Sequence, residues 1–357
     1  MRKKRIAILF GGCSAEHEVS LQSAFSVIHY LNKRKYKAVL IGITREGQWY
    51  RYAGEESNIP KDTWHTDKEN CIKVLISPNR GTREIIEINN GIITKTAIDC
   101  AFPVLHGKNG EDGTLQGLFE LVGIPFVGCD SASSALCMDK DKAHKIAQSA
   151  GIRVPKSIVL NRSYSLDDAE VNAQALAYPL FVKPLRSGSS FGISKVYQPQ
   201  KLAQAITQAF LYDSKVIIEE AVDGFEVGCA ILGSDKLRIG EVDEIETCNG
   251  FFDYSEKYSL KTSKIHLPAR IAQPTAQIVK ETADKIYRAL GCSGFARVDM
   301  FLTPNNEIIF NEVNTIPGLT PHSRYPNMMK EAGIDFAEML DKLIELSIAK
   351  NEYVFIK

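Results

Sequence analysis

The chain opens on a strand that runs into a pair of glycines. Arg5 to Phe10 reads as a short buried strand, it breaks at Gly11-Gly12, and Leu21 to Leu31 then carries helical spacing. Strand, glycine turn and helix in that order open a doubly wound α/β domain. Further strands at Lys37 to Ile43 and Asp99 to Leu105 fit that plan. Leu115, Leu118, Phe119 and Val122 recur at i, i+3, i+4 and i+7, one face of a helix. Residues 44–95 are polar and show no assignable pattern.

The next helix is expected over Ser131 to Ala150, stopped by Gly151 with Pro155 beyond. Lys140 falls on its apolar face with Leu136, Ala143 and Ala147, and no carboxylate stands one turn away. Its ammonium must therefore snorkel or meet a ligand. Pro179 to Pro184, Val216 to Glu220 and Glu226 to Leu232 read as strands, and a glycine/serine loop, SGSSFG, follows the first of them. Residues 246–264 are polar and aromatic without a period, which reads as a long loop. Pro274 to Leu290 is a helix with a proline start and a Gly291 stop. Ala296 to Leu302 and Glu307 to Asn314 flank TPNN as a hairpin, and Phe336, Met339, Leu340, Leu343 and Ile344 face one side of a last helix.

Composition narrows the function. With 357 residues, two or three domains are expected. Lysine plus arginine and aspartate plus glutamate both number 43, so the formal net charge is zero, which argues against a dedicated nucleic-acid or membrane-surface binder. The eight cysteines form no CxxC pair, so neither a disulfide framework nor a structural zinc site is expected, and reduced thiols in a cytoplasmic protein are. The apolar run Ile6 to Phe10 is too short for a signal peptide, and no run long enough to span a membrane occurs.

The hairpin carries the most chemistry. Side chains two apart on a strand share a face, so Arg297 points with Asp299, and Glu312 with Asn314. Two carboxylates and an amide make a hard oxygen site suited to Mg²⁺ bound with phosphates, and Arg297 beside it can neutralise charge on a phosphoryl group or oxyanion. The competing reading is a cross-strand salt bridge on a solvated face; Asn314 and the TIPG turn after it weigh against that. The backbone of SGSSFG can wrap phosphate oxygens, with Lys183 as a point charge. GxxxxGK[ST] is absent, which excludes a P-loop NTPase, and GGCSAEHE lacks the GxGxxG of a dinucleotide site. Glu16 and Glu18 near a helix start serve either as helix-end charges or as partners for a substrate ammonium. HGKNGEDG reads either as a mobile turn with an exposed imidazole or as part of a site.

Together these segments resemble the D-alanine–D-alanine ligase family of ATP-grasp enzymes. GGCSAEHEVSL, LHGKNGEDGTLQG, SALCMDK, FVKPLRSGSSFGISKV, VIIEE, FFDYSEKY, FARVDMF and NEVNTIPGLTPHS stand in the family's order over nearly the whole chain. FFDYSEKYSLKTSKIH and HSRYPNMMK look closest to the vancomycin-resistance branch, especially its D-alanine–D-serine ligases. The resemblance implies an ATP-grasp fold with an N-terminal Rossmann-like domain at 1–128, a central subdomain at 129–218 and a catalytic domain at 219–357. It implies that Glu16 holds the ammonium of the first D-alanine, with Ser189 and Tyr258 linking to it and closing a lid in the 246–264 loop. Lys140 and Lys183 then contact ATP phosphates, Glu219 the adenine and Glu226 the ribose, with Glu220 and Val222 in the same nucleotide site and Lys257 at the transferred phosphate. Asp299, Glu312 and Asn314 ligate two Mg²⁺ ions, with Mn²⁺ an alternative, and Arg297 and the Gly318 N–H stabilise the oxyanion. His106, Phe252, Ser323 and Arg324 line the substrate pockets. The substrates implied are D-alanine and D-serine, and the assembly a cytoplasmic homodimer making ends for peptidoglycan precursors.

The depsipeptide-forming ligases of that branch lack the lid Lys-Tyr pair, whereas Lys257-Tyr258 stands here, so an amine acceptor is expected. Arg324 replaces the apolar residue usual in D-alanine–D-alanine ligases, and Phe252 a common tyrosine. An arginine there can bond a substrate hydroxyl, directly or through a neighbour, or can pair with a protein carboxylate and ignore the substrate. Lactate-forming relatives share SRYP, so Arg324 alone does not single out serine; D-serine is favoured over D-alanine.

Overall fold

A computed structural model describes residues 2–247 and 263–354. Three sheets organise the chain. The first has seven strands: β1 (Lys4–Gly11), β2 (Tyr36–Ile43), β3 (Trp49–Tyr52), β4 (Cys71–Ile76), β5 (Glu84–Asn89), β6 (Ile92–Ala97) and β7 (Cys100–Pro103). Their order is β6-β5-β4-β3-β2-β1-β7. β1 pairs in parallel with β2 and β7, and Ile6 to Phe10 are buried on both faces, as a central parallel strand requires. Helix α1 (His17–Tyr30) leaves β1 through Gly11, whose φ of +89° and close approach to the Ile43 carbonyl admit no side chain. The antiparallel meander β3–β6 fills much of the unassigned stretch 44–95 and ends just past it, at Ala97. Little of β4 and β5 and none of β6 is buried, so no sustained apolar-polar alternation marks them in the sequence.

The expected helix 131–150 is two helices. α2 (Thr114–Val122) is followed by α3 (Ser131–Met138) and α4 (Lys140–Ser149), broken at Asp139, whose backbone is extended. Asp130 accepts from the Ser133 N–H (2.9 Å) and Asp139 from the Lys142 N–H (3.2 Å), so each helix has its own aspartate cap. Lys140 thus opens a helix instead of lying mid-face.

The second sheet is antiparallel, β10-β9-β11-β8, from β8 (Ser157–Asn161), β9 (Leu180–Pro184), β10 (Ser194–Val196) and β11 (Lys215–Glu220). α5 (Leu166–Leu176) and α6 (Leu202–Ala209) pack on it through Ala169, Ala173, Leu202 and Ile206. The third is also antiparallel, β14-β13-β12-β15-β16, from β12 (Phe225–Gly233), β13 (Arg238–Thr247), β14 (Ser263–His266), β15 (Gly294–Leu302) and β16 (Ile308–Asn314). β13 and β14 pair as far as Thr247 and Ser263, so the ends of the expected 246–264 loop are strand. α7 (Gln273–Ala289) covers this sheet, and α8 (Arg324–Glu331) and α9 (Phe336–Val354) follow it. Leu340, Leu343 and Ile344 of α9 join Ile6, Phe102 and Phe295 in one apolar core, tying the C-terminal helix to the first sheet.

The β15–β16 hairpin pairs Arg297 with Asn314 and Asp299 with Glu312, and then Met300 with Phe310. Asn311 is the extra residue of a β-bulge. No helix of the described residues is long and apolar enough to cross a membrane. All seven described cysteines are free, and five are buried.

Candidate active site

The in-register hairpin brings the expected charges together. Arg297 forks onto Asp299, Nε to Oδ1 at 2.8 Å and Nη2 to Oδ2 at 2.7 Å, and the Asn314 amide donates to the same Oδ2 at 2.8 Å. Asp299 is 2% exposed. Burial works against the Arg297 charge, yet the Asp299 carboxylate outweighs it and holds the guanidinium above its ordinary value. Glu312 meets Lys140 Nζ at 3.5 Å, and that ammonium also donates to the Ser187 carbonyl at 2.9 Å. The carboxylate partner that no residue one turn from Lys140 supplies thus comes from β16.

Of these residues Lys140 and Glu312 line a cavity of about 420 Å³ between the second and third sheets, with Arg297, Asp299 and Asn314 on the hairpin beside it. One wall carries Lys183 and Glu219, the other Glu226, Asn311 and Glu312. Lys183 Nζ lies 2.6 Å from Glu219 Oε2. Burial alone would raise the Glu219 acid; Lys183 and His144 hold it below its ordinary value. Val222 and Glu220 also line the cavity, and Glu220 accepts from the Lys156 N–H at 2.9 Å.

A second focus forms where β1 and β7 end side by side. Adjacent parallel strands deliver their following loops to one place. Glu16, 7% exposed, accepts a hydrogen bond from Ser189 Oγ. A Cβ on Gly107 would lie 2.4 Å, and one on Gly188 3.0 Å, from Glu16 Oε2, so HGKNG and SGSS both close on this carboxylate. The loop 315–319 is pinned from behind. The Ile316 N–H donates to Glu111 Oε1 (3.2 Å), the Leu319 N–H to Ser23 Oγ (3.2 Å), and His106 Nδ1 to the Ile316 carbonyl (2.9 Å). The Gly318 N–H between them has no hydrogen-bond partner among the described residues.

Two readings that the sequence left open meet the geometry here. The His106 imidazole is buried: its other nitrogen sits 3.3 Å from Ser23 Oγ, and burial holds the ring below its ordinary value. The Arg324 guanidinium pairs with protein carboxylates. Its Nε and Nη2 fork onto Asp243, Nη1 reaches Glu226 at 2.7 Å, and Nη1 lies 3.5 Å from Asp299. The carboxylates outweigh burial and keep it charged. Glu226, expected at a ribose, is therefore also an arginine partner. Ser323 Oγ accepts from the Thr320 N–H at 3.1 Å, beside Gly318. Phe252, Lys257 and Tyr258 lie outside the described residues.

Sequence reasoning missed Glu111, Asp243 and His144. Glu111 accepts from the Gly107 N–H (2.7 Å) as well as from Ile316, and burial together with the nearby Glu16 carboxylate pushes it up to about 8. A signal for Asp243 was present: an acid inside an otherwise buried strand needs a partner. As for a metal, Asp299, Glu312 and the Asn314 amide are all hard oxygen donors, and the cations Arg297 and Lys140 hold the oxygens a divalent ion would take. The donor chemistry fits Mg²⁺, although among the described residues no three His, Cys, Asp or Glu side chains are gathered as a metal cluster.

Family models describing the D-ala D-ala ligase N-terminus and C-terminus match residues 5–129 and 146–345. The chain belongs to the D-alanine–D-alanine ligase family. Among solved ligases, the VanG D-Ala:D-Ser ligase from Enterococcus faecalis is 57% identical with a TM-score of 0.90, covering 97% of this chain and 100% of that one. The vancomycin/teicoplanin A-type resistance protein VanA of Enterococcus faecium is 47% identical, over 98% of this chain and 99% of its own. A D-alanine–D-alanine ligase of Caldicellulosiruptor bescii is 42% identical, over 98% and 97%. This ligase therefore has the ATP-grasp fold.

Proposed function

We propose that the protein is an ATP- and Mg²⁺-dependent ligase that joins D-alanine to D-serine through D-alanyl phosphate, for peptidoglycan precursors ending in D-Ala-D-Ser. The observation that carries the reading is the in-register cluster Arg297, Asp299, Glu312 and Asn314 beside a cavity bordered by Lys140 and Lys183. The D-serine half draws support from likeness to VanG, a D-Ala:D-Ser ligase.

A carboxylate is a poor acyl donor, so its activation by phosphate is the step the site must serve. In this reading Glu16, fixed by Ser189, takes the ammonium of the first D-alanine. Lys140 and Lys183 face the ATP phosphates, Glu219 and Glu226 the adenine and ribose, and Glu220 and Val222 the same nucleotide. Asp299, Glu312 and Asn314 hold Mg²⁺, or Mn²⁺ in its place, and the cation when bound offsets phosphate charge. Arg297 and the Gly318 N–H face the oxyanion that forms as the second amine attacks. Ser323 lines the acceptor side, and Arg324 acts on the acceptor through the carboxylates it holds. In this reading Phe252 serves the substrate pocket, Lys257 the transferred phosphate and Tyr258 the link to Glu16, and water has to be kept from the acyl phosphate. A cytoplasmic homodimer is the corresponding assembly.

The test is competition. Purified protein with ATP, Mg²⁺, D-alanine and D-serine should release ADP and phosphate and form the mixed dipeptide. D-alanyl-D-alanine as the main product would assign it to ordinary cell-wall synthesis instead.

A further inference from the structure

Asn311 is the residue the hairpin leaves over. Asp299 pairs with Glu312 and Met300 with Phe310, so Asn311 has no partner on β15. His144 of α4 meets its carbonyl, with Nε2 at 2.7 Å. A carbonyl only accepts, so Nε2 carries a hydrogen. The ring also lies edge-on to Phe310, with centroids 5.5 Å apart. Its other nitrogen, Nδ1, faces Glu219 Oε1 at 3.7 Å. Both of those atoms are buried and lack a hydrogen-bond partner among the described residues.

Glu219 is held as a carboxylate by Lys183 on its other oxygen. The His144 ring bridges two bodies: Glu219 stands on β11 of the second sheet and Asn311 on β16 of the third, and both line the cavity.

We propose that His144 is a positioning residue that braces the two walls of the nucleotide cleft, bonding the Asn311 carbonyl on one and facing Glu219 on the other, and so fixes Glu219 for the nucleotide base. The inference rests on the nucleotide reading above and deepens it. The charged groups facing the pair are Lys183 across Glu219, Lys140 on the same helix as His144, and Glu312, which Lys140 holds.

The test is calorimetric titration of Mg·ATP into the full chain, with kcat measured beside it at saturating ATP. His144→Gln keeps a donor for Asn311, and His144→Phe keeps ring volume without either bond. Mg·ATP should bind about tenfold more weakly to His144→Phe and less weakly than that to His144→Gln, with kcat at saturating ATP unchanged in both. Variants with wild-type affinity, or with kcat lost along with affinity, would overturn the brace. A wild type that binds no Mg·ATP would overturn the nucleotide reading and the brace with it.

Discussion

Arg324 closes Nε and Nη2 onto the single carboxylate of Asp243, at 2.7 and 2.8 Å, and Asp243 is fully buried. Gly228 opposite leaves the space: a Cβ there would lie 2.3 Å from Nη2 and 2.7 Å from Asp243 Oδ1. Arg324→Leu strands a buried anion and should cost about 3–5 kcal/mol in urea denaturation. Adding Asp243→Asn should return part of that loss. The surviving activity should show a lower ratio of D-serine to D-alanine incorporation, and an unchanged ratio would count against Arg324 in acceptor choice.

Glu111 should make stability fall with rising pH. Its acid is raised from 4.5 to about 8 by burial and by Glu16. A group raised on folding binds its proton better in the folded state, so its stabilisation is complete below about pH 4.5 and lost as pH rises through about 8. Without divalent cation, the melting temperature of the wild type should drop relative to Glu111→Gln across that window. Parallel melting curves at every pH would refute the assignment.

Glu16→Gln should weaken the first substrate. A charged partner of an ammonium contributes about 1.5–3 kcal/mol, so the KM for D-alanine at the donor site should rise about tenfold to a hundredfold. Gly107→Ala, which crowds Glu16 Oε2 and sits at a φ of +71°, should act in the same direction. Steady-state kinetics with saturating acceptor separates the donor site from the acceptor site.

Arg297→Lys keeps a positive charge and loses the planar fork on Asp299. If the guanidinium meets the developing oxyanion, kcat should fall by about 10²–10³ with little change in KM for ATP. A fall confined to KM would make Arg297 a binding residue.

Much of this was readable from residue order. The hairpin around TPNN and the facing of Arg297 with Asp299 follow from a period of two, and the opening strand–glycine–helix from Gly11. The break at Asp139 was hidden because the apolar spacing runs through it; only the two aspartate caps betray it. The Arg324 clasp was out of reach for another reason. Its partners lie 81 and 98 residues earlier, on β13 and β12, and no local pattern encodes which distant carboxylate a guanidinium will find. His144 looked like one polar residue among several on α4, and its meaning comes from a bulge on a strand 167 positions away.

That bulge has a consequence for anyone redesigning the sheet. With Asn311 inserted, Phe310 enters the core while Glu312 faces the cleft, although strict alternation would send them the same way. A hairpin trimmed of Asn311 could keep both neighbouring cross-strand pairs and look more regular. It would also remove the carbonyl on which α4 leans, so idealising the backbone here would yield a tidier scaffold with a loosened cavity wall.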